Sequence, residues 1–193
     1  MDNKISLLFI SGFLAITLLQ GCAGALVAGG AAGASIAVDR RTAGTVVEDQ
    51  AIEIKAINSI FGDKELADKA RLNATSYNGI LLLTGQAPTE ELRERAVNRV
   101  TNIDKVKRVH NEITIGMPIP FQVNTRDSWI TTRVKSTLLG TKNIAANHIK
   151  VVTDSGVVYL MGLVTHTEAD LASDLASHID GVQRVIKIFE YID

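Results

Sequence analysis

The chain reads as an α+β protein in which one αββαβ unit is written twice, each copy a three-stranded mixed sheet packed against two helices. Three correspondences carry this reading. The block Asn73-Ala-Thr-Ser-Tyr-Asn-Gly79-Ile-Leu-Leu-Leu-Thr-Gly85 is answered by Lys150-Val-Val-Thr-Asp-Ser-Gly156-Val-Val-Tyr-Leu-Met-Gly162, with the glycines of each pair six apart and the copies offset by 77. Downstream, Ile103-Asp104-Lys105-Val106-Lys107-Arg108-Val109 answers Ile179-Asp180-Gly181-Val182-Gln183-Arg184-Val185, offset by 76. Upstream, Asp49-Gln50-Ala51-Ile52 answers Asp127-Ser128-Trp129-Ile130. Two repeats of about 70 residues suit two small domains rather than a solenoid.

Each unit opens with a helix, expected over Val47 to Phe61 and over Ser128 to Leu139. In the second, Ile130, Val134 and Leu138 recur at i, i+4 and i+8 and form a core stripe. A hairpin follows, its positive-φ turn supplied by Asn78-Gly79 or Ser155-Gly156. The strands after the turn, Ile80 to Leu83 and Val157 to Met161, are strongly apolar and are expected at the centre of each sheet. Leu92, Ala96, Val100 and Ile103 then mark a second helix, as do Leu171, Leu175 and Ile179 in the other copy. Thr165 with Glu168 fits a capping box at the start of the latter. An alternating strand closes each unit, Val106 to Ile115 and Val182 to Ile192. The domains are therefore expected at residues 46–115 and 124–193. Residues 116–123 join them, and Pro118 and Pro120 make that join short and stiff, which favours a fixed arrangement of the domains.

Ahead of the repeats, Lys4, an apolar run from Ile5 to Leu19 and the tetrapeptide Leu19-Gln20-Gly21-Cys22 describe a secretory signal peptide over residues 1–21. The run is short for a membrane-spanning helix. Leu-x-Gly-Cys resembles a lipobox, in which the thiol of Cys22 receives diacylglycerol, the chain is cut before it and the new amine is acylated. A plain signal peptide with a chance cysteine is the alternative. Gln20 departs from the small residue usual at that position. Two or more acyl chains hold a protein durably, one only marginally. By resemblance to sorted lipoproteins, Ala23 rather than Asp implies transfer to the inner leaflet of the outer membrane. Residues 22–45, rich in Ala and Gly, read as a flexible tether spanning about 26 Å as a Gly-rich coil. With Cys22 the single cysteine, no disulfide framework is expected.

Enzyme chemistry finds no foothold in these residues. His110, His148, His166 and His178 lack metal-ligand spacing, and His148 and His178 read as solvated or capping residues. Ser155 sits in a turn without a nucleophile-elbow pattern. The repeated glycines read as turns and close backbone approaches rather than a phosphate loop. No metal or cofactor is expected beyond the acyl groups on Cys22, and a net charge of −1 gives no general pull toward nucleic acid.

The order of elements, the paired glycines and the Ile-Asp-x-Val-x-x-Val lead into the last strand resemble the BON domain. Two such domains behind a lipobox resemble the dual BON-domain lipoproteins of Gram-negative bacteria. The resemblance extends over nearly the whole chain and includes Asn111-Glu112-Ile113, Trp129-Ile130-Thr131-Thr132 and Met161-Gly162-Leu163-Val164-Thr165. It implies an outer-membrane lipoprotein facing the periplasm that binds anionic phospholipid through its second BON domain, gathers at the division site, and supports envelope integrity and cell-wall amidase control.

The two first helices differ in charge. Glu48, Asp49 and Glu53 against Lys55 leave the first at −2, whereas Arg126, Arg133, Lys135 and Lys142 against Asp127 bring the second to +3. Trp129, the single tryptophan, lies at the edge of the core stripe, with Arg133 and Ser136 on its own face and Thr132 and Leu139 flanking it. An exposed aromatic ringed by cations suits the headgroup level of an anionic membrane. Trp129, Thr132, Arg133, Lys135, Ser136 and Leu139 are the candidate lipid-binding set. The competing possibilities are that Trp129 packs against the tether or the first domain, or that the pair of domains is an adaptor docking on envelope or division-machinery proteins. For docking, Asn111, Glu112 and the segment Met117 to Phe121 are the candidate surface.

Overall fold

The computed structural model describes residues 39–118 and 121–193. The expected signal peptide, Cys22 and most of the tether lie outside the described residues, as do Ile119 and Pro120 of the linker. Residues from Ala37 to Asp193 form one compact unit.

The first domain runs α1 (Ala43–Phe61), α2 (Lys64–Lys69), β1 (Arg71–Tyr77), β2 (Ile80–Ala87), α3 (Glu90–Thr101) and β3 (Arg108–Ile115). The second repeats it as α4 (Phe121–Gly140), a 3-10 turn (Ala146–His148), β4 (Ile149–Asp154), β5 (Val157–Val164), α5 (His166–Ser177) and β6 (Arg184–Tyr191). Each sheet has three strands with the second in the centre, antiparallel to its hairpin partner and parallel to the last strand. This is the αββαβ unit expected, twice.

The turns explain the glycines. Asn78 and Gly79 both take positive φ, 52° and 79°, and Ser155 and Gly156 match them at 53° and 77°. That is the two-residue turn whose twist suits a hairpin. The second glycine of each pair permits contact between strands: a Cβ on Gly85 would collide with the carbonyl oxygen of Arg71, and one on Gly162 with that of His148.

Alternation along the central strands feeds two cores. Leu81 and Leu83 point to α1 and α3, meeting Ile52, Ala56, Ile60, Leu92, Ala96 and Val100. Val158 and Leu160 point to α4 and α5, meeting Ile130, Val134, Leu138, Ala169 and Ala172. The opposite faces are also apolar, and they close on each other: Tyr77, Ile80 and Leu82 of one sheet pack with Tyr159, Met161 and Ile188 of the other. Antiparallel pairs often leave one face to solvent. Here both faces are used, and the domains are locked rather than strung. Polar contacts fringe this third core: Arg71 to Asp154 at 3.1 Å, Lys150 to Glu53 at 2.7 Å and Asn78 to Glu190 at 2.8 Å.

The structure revises several boundaries. Helix α1 begins at Ala43 rather than Val47 because Thr42 caps it, its hydroxyl accepting from the amide of Thr45 at 3.1 Å. Helix α4 begins at Phe121, well before Ser128 and inside the segment expected to be linker. Helix α2 was not expected. Asp63 caps it through the amides of Glu65 and Leu66, and its one apolar anchor, Leu66, is buried. The capping box at Thr165 and Glu168 is present in full.

Candidate functional site

The site begins with a residue turned inward. Asp127, on the face of α4 nearest the hairpin, accepts from the amides of Ser155 at 2.7 Å and Gly156 at 2.9 Å. Asp49 does the same for Asn78 and Gly79, at 2.7 and 2.8 Å, and also accepts from the hydroxyl of Ser76 at 2.7 Å. Both carboxylates are buried. They pin each first helix to the tip of its own hairpin, which explains why Asp recurs at this position of the repeat. Both aspartates are thereby withdrawn from the surface, which leaves the charge contrast between the helices as large as before. With Asp127 consumed, Arg126, Arg133, Lys135 and Lys142 stand without an acidic partner among the described residues.

Ile130, Val134 and Leu138 are fully buried, which fixes the rotation of α4. At about 100° per residue, all six candidate side chains then fall on the outer half of the helix. Trp129 is 48% exposed and Leu139 72%, and Thr132, Arg133, Lys135 and Ser136 are exposed as well. The guanidinium of Arg133 lies 5.8 Å from the centre of the Trp129 ring, within cation–π range. The hydroxyl of Thr132 donates back to the carbonyl of Ser128 at 2.9 Å, so one polar group on this face is internally satisfied. Lys135 and Leu139, with Leu138, Ala146 and Ile149, line a largely apolar hollow of about 220 Å³ at the C-terminal end of the helix. The arrangement is a mixed surface, Trp129 and Leu139 beside Thr132 and Ser136, with Arg133 and Arg126 on one flank and Lys135 on the other. Trp129 belongs to none of the three buried clusters.

The residues just before α1 are not a free tether. Arg40 reaches across to the second domain and makes a two-pronged ion pair with Glu168, at 2.7 and 3.0 Å, while also donating to the carbonyl of Leu163 at 2.8 Å. Its backbone amide donates to Nδ1 of His148 at 3.2 Å. Arg41 pairs with the buried Asp49 at 2.8 Å and stacks its guanidinium 3.9 Å from the centre of the Tyr77 ring. The Tyr77 hydroxyl donates to the carbonyl of His148 at 3.0 Å, which closes the ring of contacts. The paired guanidinium of Arg40 pulls Glu168 down to about 2. Burial, followed by the charge of Arg40, holds His148 below its ordinary value. His148 is thus an interface residue, 7% exposed and neutral, not the solvated loop residue its sequence context suggested. Nothing local in the sequence announces this contact, because its partners come from both domains.

The other histidines are dispersed. His110 is half-buried on β3, His178 ends α5 against the carbonyl of Asp174, and exposed His166 stacks on Tyr191 beside Asp193. Among the described residues no group of His, Cys, Asp and Glu could hold a metal ion. Asn111 and Met117, candidates for docking, are exposed.

A sequence profile of the BON domain matches residues 48–117 and again residues 126–192. The chain belongs to the BON-domain family. Its two BON domains are similar to known proteins over most of their length. Outer membrane lipoprotein DolP of Haemophilus influenzae is 40% identical over 179 residues, covering 93% of each chain. The 21 kDa hemolysin of Actinobacillus pleuropneumoniae is 39% identical over 155 residues, 80% of each chain. Osmotically-inducible protein Y of Escherichia coli is 24% identical over 157 residues, 80% of this chain and 78% of that one. The match to DolP reaches well ahead of the first BON domain, since 93% of the chain cannot be covered without it.

Proposed function

We propose that the protein is an outer-membrane-anchored lipoprotein facing the periplasm, acylated at Cys22, that binds anionic phospholipid through the outer face of α4. The observation that carries the lipid reading is the half-exposed Trp129 flanked by Arg133 and Lys135, neither of which has an acidic partner among the described residues. Each such cation is worth on the order of 1 kcal/mol against a negative leaflet, and an interfacial indole anchors between wet and apolar layers. That is weak alone. The lipid on Cys22 raises the effective concentration of this face at the membrane, so weak affinity suffices. The anchor itself is supported by the Leu-Gln-Gly-Cys run and by the similarity to an outer membrane lipoprotein that extends into the N-terminal segment.

The test is flotation of residues 37–193 with vesicles containing phosphatidylglycerol or only phosphatidylcholine. Binding to the first, lost in Arg133→Gln/Lys135→Gln and weakened by salt, supports the reading. Equal flotation with both vesicles overturns it. Support of envelope integrity and enrichment at the division site belong to the same proposal and rest on the family resemblance. Imaging of wild type beside Trp129→Glu, with Cys22 kept, tests whether this face directs localisation.

A second reading has its own observation. Val47, Ile54 and Phe61 are exposed along one side of α1, seven residues apart. This suits docking on an envelope or division-machinery protein, in which lipid contact would be incidental. Such an apolar contact persists at high salt, and the charged one does not.

A further inference from the structure

We propose that the cleft between α1 and the loop entering β3 binds a small zwitterion, its phosphate held by Lys105 and Lys107 and its ammonium facing Glu48. The cleft has a volume of about 320 Å³, and Glu48, Ile52, Gly79, Lys105, Val106 and Lys107 are among its walls. It lies in the first domain, on a different helix from the α4 face, and does not depend on the lipid reading of that face.

The internal repeat supplies the argument, because the chain contains its own control. Lys105 holds a left-handed backbone, φ 70°, and its counterpart in the second domain is Gly181, φ 89°. Glycine occupies that conformation without strain and a lysine does not. Backbone strain of this kind persists where surrounding structure enforces it and clusters at sites of function. The loop is indeed enforced: the amide of Lys107 donates to the carbonyl of Gly79 at 2.8 Å, and that of Gln183 does the same to Gly156 in the other copy. The same loop is therefore built twice, once with the easy residue and once with a strained lysine whose side chain lines a cleft.

The second contrast lies opposite. Glu48 corresponds to Arg126. In the second domain the guanidinium of Arg126 lies against Gly181, 3.2 Å from where a Cβ on that glycine would stand. The long side chain thus occupies, in one copy, the space that the shorter Glu48 leaves open in the other.

The charges in the cleft define the ligand. Asp49 is committed to Arg41, Ser76 and the turn amides. Glu48, Lys105 and Lys107 are exposed and have no ion pair among the described residues. They sum to one positive charge made of both signs, with the apolar groups of Ile52 and Val106 between them. A purely anionic ligand would meet Glu48, and a purely cationic one would meet two ammoniums. A short molecule bearing a phosphate and an ammonium satisfies all three groups, and lysine serves phosphate as a compact point charge. Phosphoethanolamine has this chemistry, free or as the headgroup of phosphatidylethanolamine.

Amide NMR of residues 37–193, a unit that closes all three of its apolar cores, tests this with phosphoethanolamine as the probe. The expected result is saturable movement of the amides of Asn78, Gly79, Lys105 and Lys107. Affinity should fall about tenfold in Lys105→Gly and in Glu48→Gln. Lys105→Gly should at the same time melt no lower than wild type, because it relieves the backbone; loss of binding without loss of stability separates a site from a structural role. Vesicles of phosphatidylethanolamine moving the same amides, with phosphatidylcholine silent, assign the headgroup as source. A response confined to the free compound assigns a soluble ligand. Absence of saturation, or unchanged binding in Lys105→Gly, overturns the proposal. Inorganic phosphate or β-alanine binding as tightly overturns it too, the first removing the ammonium and the second the phosphate.

Discussion

Arg40 and Glu168 stand 128 residues apart in the chain and meet in a two-pronged ion pair at 2.7 and 3.0 Å. The residue that ends the N-terminal segment is thereby bound to the second domain, while its neighbour Arg41 is bound to Asp49 of the first. The chain leading back toward Cys22 leaves from a fixed point that spans both domains.

Arg40→Ala removes that pair and the bond to the carbonyl of Leu163. Both partners are partly open to solvent, which discounts the charge term, and the expected loss is about 2 kcal/mol. For a body of this size, that lowers the melting temperature by about 4–8 °C. Calorimetry of the variant beside residues 44–193, which also lack Arg41 and the Thr42 cap, should give the larger deficit for the shorter chain.

Acid should loosen the same contact in two stages. The lowered value of His148 means that the folded state prefers the neutral ring, so its contribution is complete above about 6.5 and declines as pH falls below it. Glu168, held at about 2 against an ordinary 4.5, contributes fully above 4.5 and loses that contribution as pH falls toward 2. Urea midpoints measured from pH 8 to pH 3 should decline more steeply for wild type than for Glu168→Gln below pH 4.5. Parallel curves would contradict the assignment.

Asp49 and Asp127 hold equivalent turns but carry unequal loads. Asp127→Ala frees two hairpin amides and should cost about 3 kcal/mol. Asp49→Ala also removes one of the two carboxylates paired with Arg41, leaving it Asp39, and the acceptor of the Ser76 hydroxyl, so about 4 kcal/mol is expected. Chemical denaturation of the two variants side by side checks the order. Equal losses would mean that the Arg41 pair contributes nothing.

Gly162→Ala places a methyl group against the carbonyl of His148, and His148 in turn receives Arg40 and Tyr77. Overpacking of this kind costs about 1–3 kcal/mol or more. Hydrogen exchange should show the loss concentrated on β4, β5 and the amide of Arg40. Gly85→Ala should be worse, since its φ of 119° is accessible to glycine alone.

Most of the architecture was legible because the repeat made it redundant. Two copies of Asn-Gly or Ser-Gly six residues before a second glycine specify the hairpins, and Ile130, Val134 and Leu138 fix the rotation of α4 and hence the outward set around Trp129. What escaped had no local signature. Helix α2 rests on one cap, Asp63, and one buried leucine, too little periodicity to stand out. Asp127 looked like surface charge because its partners are turn amides 28 and 29 residues away. His148, Glu168 and Arg40 looked like unrelated polar residues, and only the packing of the domains brings them together. The apolar back faces of β2 and β5 were visible as uninterrupted hydrophobic strands, but what would cover them was not.

The most direct test of lipid binding uses the fluorescence of Trp129, which is unambiguous because the chain has one tryptophan. Residues 37–193 are titrated with phosphatidylglycerol vesicles at low and at high salt. The expected result is a blue shift as the half-exposed indole enters the headgroup layer, reversed by salt and weakened in Arg133→Gln/Lys135→Gln. An emission spectrum that does not move with added lipid would contradict the assignment of α4 as the membrane-binding face.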